Sequence, residues 1–383
     1  MKSITFVHAS DFHLGASFCG GYGDYGSIRR KDVLLAFEKT IDLAVSESAD
    51  LLLICGDLFE QDSVTRDTII FIRQVLNRLT KTHVCILPGN HDPLLVDSWY
   101  KAFDWPDYVH LLEVGGNQPA SLWLEDLQVF IAAYGFSSYR QDELDWSALP
   151  EPKPGAMNII MLHGSLDINT GPIMYNSVST DQLQHSRYQY IAMGHFHNYF
   201  VIEGASYIAN PGSPEPLGFD ETNTHGILLG SWHQEQNRIT TEFIPIANRQ
   251  YHIKDVNITS CIGEDAVKMA ILSCIENNDP QKDFVHIRLQ GNPIESPVVN
   301  TILDKLREEW LYLRISDSTY PPVQWNKTFQ ENGLVGLFLS EIEEKMNHAM
   351  KTENDDTLDK LKKARQMGIE ALAYGSISTP VEI

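Results

Sequence analysis

The sequence predicts an α/β core, then a small α+β domain, then a pair of terminal helices. Three observations carry this. Over residues 1–245, short β-branched apolar runs alternate with stretches of helical periodicity; from Tyr251 the order becomes strand, helix, strand, helix, strand; and residues 334–383 hold two amphipathic stretches.

Each element has a local reason. SITFVHAS, LLLICGD, HVCILPGNHD, NIIMLHG and YIAMGHFH are apolar almost throughout and end in polar clusters, as expected of strands covered on both faces. RKDVLLAFEKTIDLAVSE and VTRDTIIFIRQVLNRL place apolar residues at helical spacing. Glu125-Asp126 and Glu203-Gly204 predict hairpin turns, hence antiparallel additions to the core. YHIKDVNI, EDAVKMAILSCI, FVHIRLQ, VVNTILDKLREEW and YLRIS suffice for a separate small domain over 251–316. Residues 317–333, with Pro321-Pro322 and little periodicity, read as a linker. GLVGLFLSEIEEKMNHAMK and LDKLKKARQMGIEALAYG then read as helices parted by TENDD.

Composition excludes several classes of protein. With 383 residues, 43% hydrophobic and 21% charged, the chain can build a core and is not disordered. No apolar run approaches the roughly 18 residues of a membrane span, and mean hydropathy is -0.21. The opening MKSITFVHASDF is interrupted by His8 and Asp11, so no secretory signal is expected. Five cysteines, an odd number without a C-x-x-C pair, disfavour a disulfide framework or a cysteine-bound zinc. Cys55 and Cys85 end apolar runs as buried free thiols do, which predicts a reduced, cytoplasmic chain. The net charge is -22, and residues 1–245 alone contribute -16. Taken alone, that argues against a protein that coats duplex nucleic acid.

The chemically informative residues all follow predicted strands: Asp11 and His13, Asp57, Asn90 and His91, His163, then His195 and His197. In open α/β sheets the loops at carboxyl ends of strands share one crevice. Taken singly, each fragment is weak. H-x-H puts two imidazoles on one face of a strand, yet solvated or core histidines are commoner than ligands, and CGD or GNHD alone could be a turn. Their coincidence carries the argument, because five strand ends each present a carboxylate, amide or imidazole. Such an N/O donor set suits manganese, iron or zinc better than copper. Two cations about 3.5–4 Å apart that share a carboxylate can clamp a phosphoryl group and deprotonate a water.

The order D-x-H, GD, GNHD, H, GHxH resembles the calcineurin-like metallophosphoesterase superfamily. HASDFHLG, YIAMGHFH and YIANPGSPEPLGFDE are similar to its DNA-repair branch of SbcD/YhaO-type nucleases. The resemblance covers residues 1–245 by motif, and the remainder by layout. It implies a β-sandwich core flanked by helices, with the small domain as a cap. It implies two divalent cations, Mn2+ foremost, held by Asp11, His13 and His197 and by Asn90, His163 and His195, with Asp57 bridging. His91 would stabilise the transition state or protonate the leaving oxygen. Glu60 stands where the family has aspartate, or histidine in some repair nucleases; it would orient His91, or be a solvated loop acid. The implied reaction is phosphodiester hydrolysis by a metal-bridged hydroxide, in a DNA exonuclease or endonuclease of a repair system.

Arg29, Arg30 and Lys31, and Arg66, are candidate phosphate contacts; the first three could equally be a solvated helical turn. Tyr22 and Tyr25 could stack on bases. The implied partners are DNA, an SbcC-like coiled-coil ATPase docked on residues 334–383, and a second copy of the chain. The apolar positions Leu334, Leu337, Phe338, Ile342, Met346, Leu358, Leu361, Ile369 and Leu372 could instead pack on their own domain. Two rival functions stand beside the nuclease: a phosphoesterase for a small nucleotide or phosphoprotein, and a scaffold subunit without catalysis.

Overall fold

The computed structural model describes residues 3–18, 24–141, 144–167, 175–291, 293, 297–319, 333–351 and 355–374. Cys19, Tyr22 and most of the expected linker, residues 320–332, lie outside them. The chain divides into two compact units, 1–251 and 252–383.

In the first unit, β1 (Ser3–Ala9) leads through α1 (Tyr25–Ser46) to β2 (Leu51–Cys55), and α2 (Arg66–Leu76) leads to β3 (His83–Leu87) and β4 (Val109–Leu111). These four strands pair in parallel, as strand–helix–strand crossovers require. β5 (Ala120–Leu124), β6 (Val129–Tyr134), β7 (Met157–His163), the short α3 (Thr180–Gln184), β8 (Tyr190–Gly194), β9 (Phe200–Ile202) and β10 (Tyr207–Asn210) follow. β11 (Gly226–His233) and β12 (Arg238–Pro245) complete the unit. One six-stranded sheet has the order β12-β11-β1-β2-β3-β4, the other β5-β6-β7-β8-β10-β9. The expected hairpin turns fall between antiparallel β5 and β6 and between antiparallel β9 and β10.

The two sheets face each other as a sandwich. Alternation along β2 shows the layering: Leu51, Leu53 and Cys55 pack with Ile131, Ile159 and Met161 of the second sheet, whereas Leu52 and Ile54 pack outward with Phe37 of α1 and Ile69 of α2. The outer face of the second sheet is covered by Leu183 of α3 and by Tyr188. Strands buried on both faces explain the uninterrupted apolar runs of the sequence.

The second unit carries a three-stranded sheet, β13 (Gln250–Asn257), β14 (Asp283–Gln290) and β15 (Tyr312–Asp317), with α4 (Gly263–Cys274) and α5 (Val299–Arg307). Val285, Ile287 and Leu289 of β14 meet Val267 and Ile271 of α4 and Ile302 and Leu306 of α5. α6 (Leu334–Lys351) and α7 (Asp355–Tyr374) end the chain. Phe338, Ile342 and Leu361 pack between these helices, while Leu334, Leu337 and Leu372 stay exposed. The Ile369 side chain lies outside the described residues. No described helix is long and apolar enough to cross a membrane.

Candidate metal centre

Parallel strands of both sheets deliver the candidate residues to one pole of the sandwich. The loops after β1, β2 and β3 are zipped by backbone bonds: Asp11 N–H donates to Gly56 O (3.0 Å), His13 N–H to Asp57 O (2.9 Å) and Gln61 N–H to His91 O (2.9 Å). His163 ends β7, and His195 and His197 follow β8. Turning the side chains inward demands unusual backbone: Asp11 (φ 53°), His13 (51°), Asp57 (50°) and His195 (98°) all have positive φ. Such strain costs about 1–3 kcal/mol per residue and collects at functional sites. Close approach also requires two of the motif glycines. A Cβ at Gly56 would lie 2.1 Å from His163 Nδ1, and one at Gly89 would lie 2.2 Å from Asp57 Oδ1.

The decisive feature is where the imidazole hydrogens point. His13 Nδ1 lies 2.8 Å from Glu60 Oε1, His197 Nδ1 2.6 Å from Glu221 Oε1, and His163 Nδ1 2.9 Å from the Cys55 carbonyl. Carboxylates and carbonyls only accept, so each Nδ1 carries a hydrogen, and in the neutral ring each Nε2 presents a lone pair. Those lone pairs converge. His13 Nε2 and His197 Nε2 stand 3.2 Å apart. His163 Nε2 faces Asp57 Oδ2 at 3.3 Å and Asn90 Oδ1 at 3.0 Å. Asp57 Oδ2 is also 3.8 Å from His13 Nε2, and Asp11 Oδ1 is 3.9 Å from His197 Nε2. Acceptors facing acceptors at these distances repel unless cations or extra protons lie between them. The donor set therefore fits divalent cations.

Among the described residues, three clusters bring ligand atoms within 4.8 Å of one another: Asp11, His13 and His197; Asp11, Asp57 and His163; and His13, Glu60 and His91. The third relies on Glu60, whose oxygens are engaged by the Nδ1–H groups of His13 and His91, so it reads as a hydrogen-bonded brace. His195 belongs to none of the three. Its ring meets the His163 ring edge-on at 5.3 Å, and its backbone N–H donates to Asp11 at 3.0 Å.

Electrostatics follow the same layout. Burial opposes charge on His163, but neighbouring Asp57 outweighs it and lifts the imidazole to about 9. Burial likewise opposes charge on His197, where the Glu221 hydrogen bond and Asp11 raise it to about 9. Asp57 is held far below the carboxylate range by His163 and His13 despite its burial. His195, with burial and His163 both against it, drops to about 4. Cations compete with protons for these nitrogens, so their affinity falls as pH drops.

His91 stands at the rim. Its Nδ1 is 2.8 Å from Glu60 Oε2, its backbone N–H donates to Asp57 Oδ1 at 2.8 Å, and its side chain is 45% exposed. The Glu60 hydrogen bond raises its pKa above that of ordinary histidine. Glu60 itself is held at about 2, its burial outweighed by hydrogen bonds from His13 and His91.

Two acids absent from the sequence reading support the cage. Asp92, fully buried, accepts from the backbone N–H of Gly89 (2.6 Å), Leu58 (2.6 Å) and Asp57 (3.1 Å) and from the Tyr100 hydroxyl (2.6 Å), so it joins the CGD and GNHD loops. Burial and the charge of Asp57 push its carboxyl up to about 6. Glu221 braces His197. Both acids sit in the motif segments GNHD and PGSPEPLGFDE, which were the available signal.

One expectation is overturned. Arg29 is not a phosphate contact: it is completely buried, with Nη1 2.7 Å from Asp32 and 2.8 Å from Glu215. α1 begins at Tyr25, so Arg29 falls inside the helix on its inward face rather than in a solvated first turn. Arg30 and Lys31 are exposed on α1, and Arg66 is exposed at the start of α2. The Tyr25 hydroxyl is engaged with that of Tyr251 at 2.8 Å.

A two-sheet sandwich whose parallel strands bring carboxylates, an amide and imidazoles together as one candidate cation site has the layout of a metal-dependent hydrolase. The chain belongs to the calcineurin-like phosphoesterase family, whose sequence model matches residues 4–230. It is 26% identical over 320 residues to the uncharacterized metallophosphoesterase YhaO of Bacillus subtilis, across 81% of this chain and 74% of that one. It is also 26% identical over 333 residues to the DNA double-strand break repair protein Mre11 of Sulfurisphaera tokodaii, across 82% and 81% of the two chains. A probable cyclic nucleotide phosphodiesterase of Fibrobacter succinogenes matches over 210 residues at 26% identity, across 53% of this chain and 76% of that protein.

Proposed function

We propose that the chain is a divalent-metal-dependent phosphodiesterase that cleaves DNA, an exonuclease or endonuclease of a repair system. The observation that carries the metal-dependent chemistry is the convergence of His13 Nε2 and His197 Nε2 at 3.2 Å with both opposite nitrogens anchored on carboxylates. Asp11, His13 and His197 would hold one cation, Asn90, His163 and His195 the other, with Asp57 common to both; Mn2+ suits this oxygen and imidazole set. Bound there, the two cations would neutralise charge on a phosphoryl group and acidify a water. His91, whose pKa Glu60 raises, stands exposed at the rim and would donate to the leaving oxygen.

The DNA assignment is supported by similarity to the Mre11 repair protein over four-fifths of both chains. Net charge of -22 does not oppose it, since local potential governs phosphate binding and two cations would add four positive charges at the crevice. In this reading residues 1–245 form the nuclease domain and 251–316 the cap. Beyond a linker at 317–333, residues 334–383 dock an SbcC-like ATPase, with Leu334, Leu337 and Leu372 as exposed contacts. Arg30 and Arg66 remain candidate phosphate contacts, a homodimer is compatible, and the compartment is the cytoplasm.

A second reading, a phosphodiesterase for a small nucleotide, is favoured by the acidity and by the Fibrobacter relative. Linear DNA and a chromogenic phosphoester, each supplied with Mn2+, separate the two. Degradation of DNA is expected; hydrolysis of the small ester alone would establish the second reading.

A further inference from the structure

The first-cation histidines are braced by two glutamates that differ in what else they hold. Glu60 spends Oε1 on His13 and Oε2 on His91, both at 2.8 Å. Glu221, 6% exposed, spends Oε1 on His197 at 2.6 Å, while its Oε2 accepts from the Ser213 hydroxyl at 2.9 Å and the Leu217 N–H at 3.0 Å. One brace is tied to a rim histidine, the other to the buried protein interior. The segment Ser213–Glu221 therefore acts on His197 from a loop that Glu221 itself ties together, although it lies after β10.

We propose that Glu221 is a positioning residue for the first cation, fixing the orientation and tautomer of His197, and that Glu60 does the same for His13 while coupling that site to His91. This rests on the dimetal reading above. Carboxylates behind metal-bound histidines orient the ring and raise its basicity. Glutamine at either position keeps the shape but loses the charge. At 221 it also sets an amide NH2 against the Leu217 N–H or the His197 Nδ1–H, because all the partners of Glu221 are donors.

The test uses the full-length chain, Mn2+ titrated by calorimetry with a competing chelator, and Mn2+ dependence of turnover. E221Q should weaken one of the two cations by about 10- to 100-fold and leave the other unchanged, with partial recovery in E221D. E60Q should weaken the same cation and also lower turnover at saturating Mn2+. If wild type binds two cations and E221Q binds both equally well, the proposal fails while the dimetal reading stands; if wild type binds none, both fail. Should E221Q not fold, long-range proton–nitrogen NMR of the Zn2+-loaded wild type decides. A His197 Nδ1–H tautomer is expected, and an Nε2–H tautomer overturns the proposal.

Discussion

The two ends of β3 carry histidine clusters of similar composition and opposite chemistry. At the carboxyl end lies the proposed cation cage. At the amino end His83 Nε2 lies 2.9 Å from Asp126 Oδ2, and His83 Nδ1 lies 2.9 Å from His110 Nε2, with the two rings stacked at 5.2 Å. Asp126 takes the Nε2–H of His83, so the bare Nδ1 accepts from His110, and every lone pair in the chain of contacts has a hydrogen. In the cage, by contrast, the anchors consume the Nδ1 hydrogens, and the neutral rings that a cation requires have Nε2 lone pairs facing one another at 3.2 Å. Spacing between nitrogens barely distinguishes the two clusters. The direction of the hydrogens does, and that is set by groups outside each cluster.

Removing the charge shared across the cage should do most to break this contrast. Asp57→Asn is expected to release bound Mn2+ and lower turnover roughly a thousandfold, as Lewis-acid stabilisation worth several kcal/mol disappears; elemental analysis and a DNA-degradation assay read both. Retention of both cations would show that Asp57 is not their common ligand. His91→Asn should follow, with metal content intact and turnover lower by about 10²- to 10⁴-fold. Equal loss of metal and turnover would make His91 a structural residue.

A third histidine sharpens the comparison through pH. His8 is buried, with Nδ1 2.8 Å from the Tyr190 hydroxyl and Nε2 3.0 Å from the Met193 carbonyl. Burial drives its pKa to about 3, against the weaker upward pull of Met193. Between the unfolded value of 6.5 and about 3, the unfolded chain binds a proton that the folded one refuses. Stability should therefore fall as pH is lowered through that window, by up to about 1.4 kcal/mol per pH unit. Urea midpoints at several pH values measure the slope, which His8→Gln should flatten; an unchanged slope would assign the acid sensitivity elsewhere. The smallest effect belongs to the self-satisfied cluster. Asp126→Ala breaks a pair that is largely exposed, should cost no more than about 1 kcal/mol, and should leave Mn2+ binding untouched.

Much of this arrangement is legible in the sequence, for a physical reason. Strands buried on both faces leave unbroken apolar runs, so β1, β2, β3, β7 and β8 and the polar residues after them stand out, and the structure gathers those residues at one pole. What stays hidden depends on contacts distant in sequence. Arg29 looks like a surface cation until Glu215, far along the chain, is seen to bury it. Glu221 reveals nothing of its role because its partner His197 comes from a different loop. Asp92 is masked by its own motif, where a turn-forming aspartate and a buried acceptor of five hydrogen bonds look alike. The protonated nitrogen of each imidazole, on which the cage depends, leaves no trace in residue order at all.

Anomalous scattering from crystals of the full-length chain soaked in Mn2+ tests the central claim most directly. Two peaks are predicted at the carboxyl pole, one beside Asp11, His13 and His197, the other beside Asn90, His163 and His195, with Asp57 touching both. A single peak, or manganese bound at the His83–His110–Asp126 cluster and none at the pole, would contradict the account.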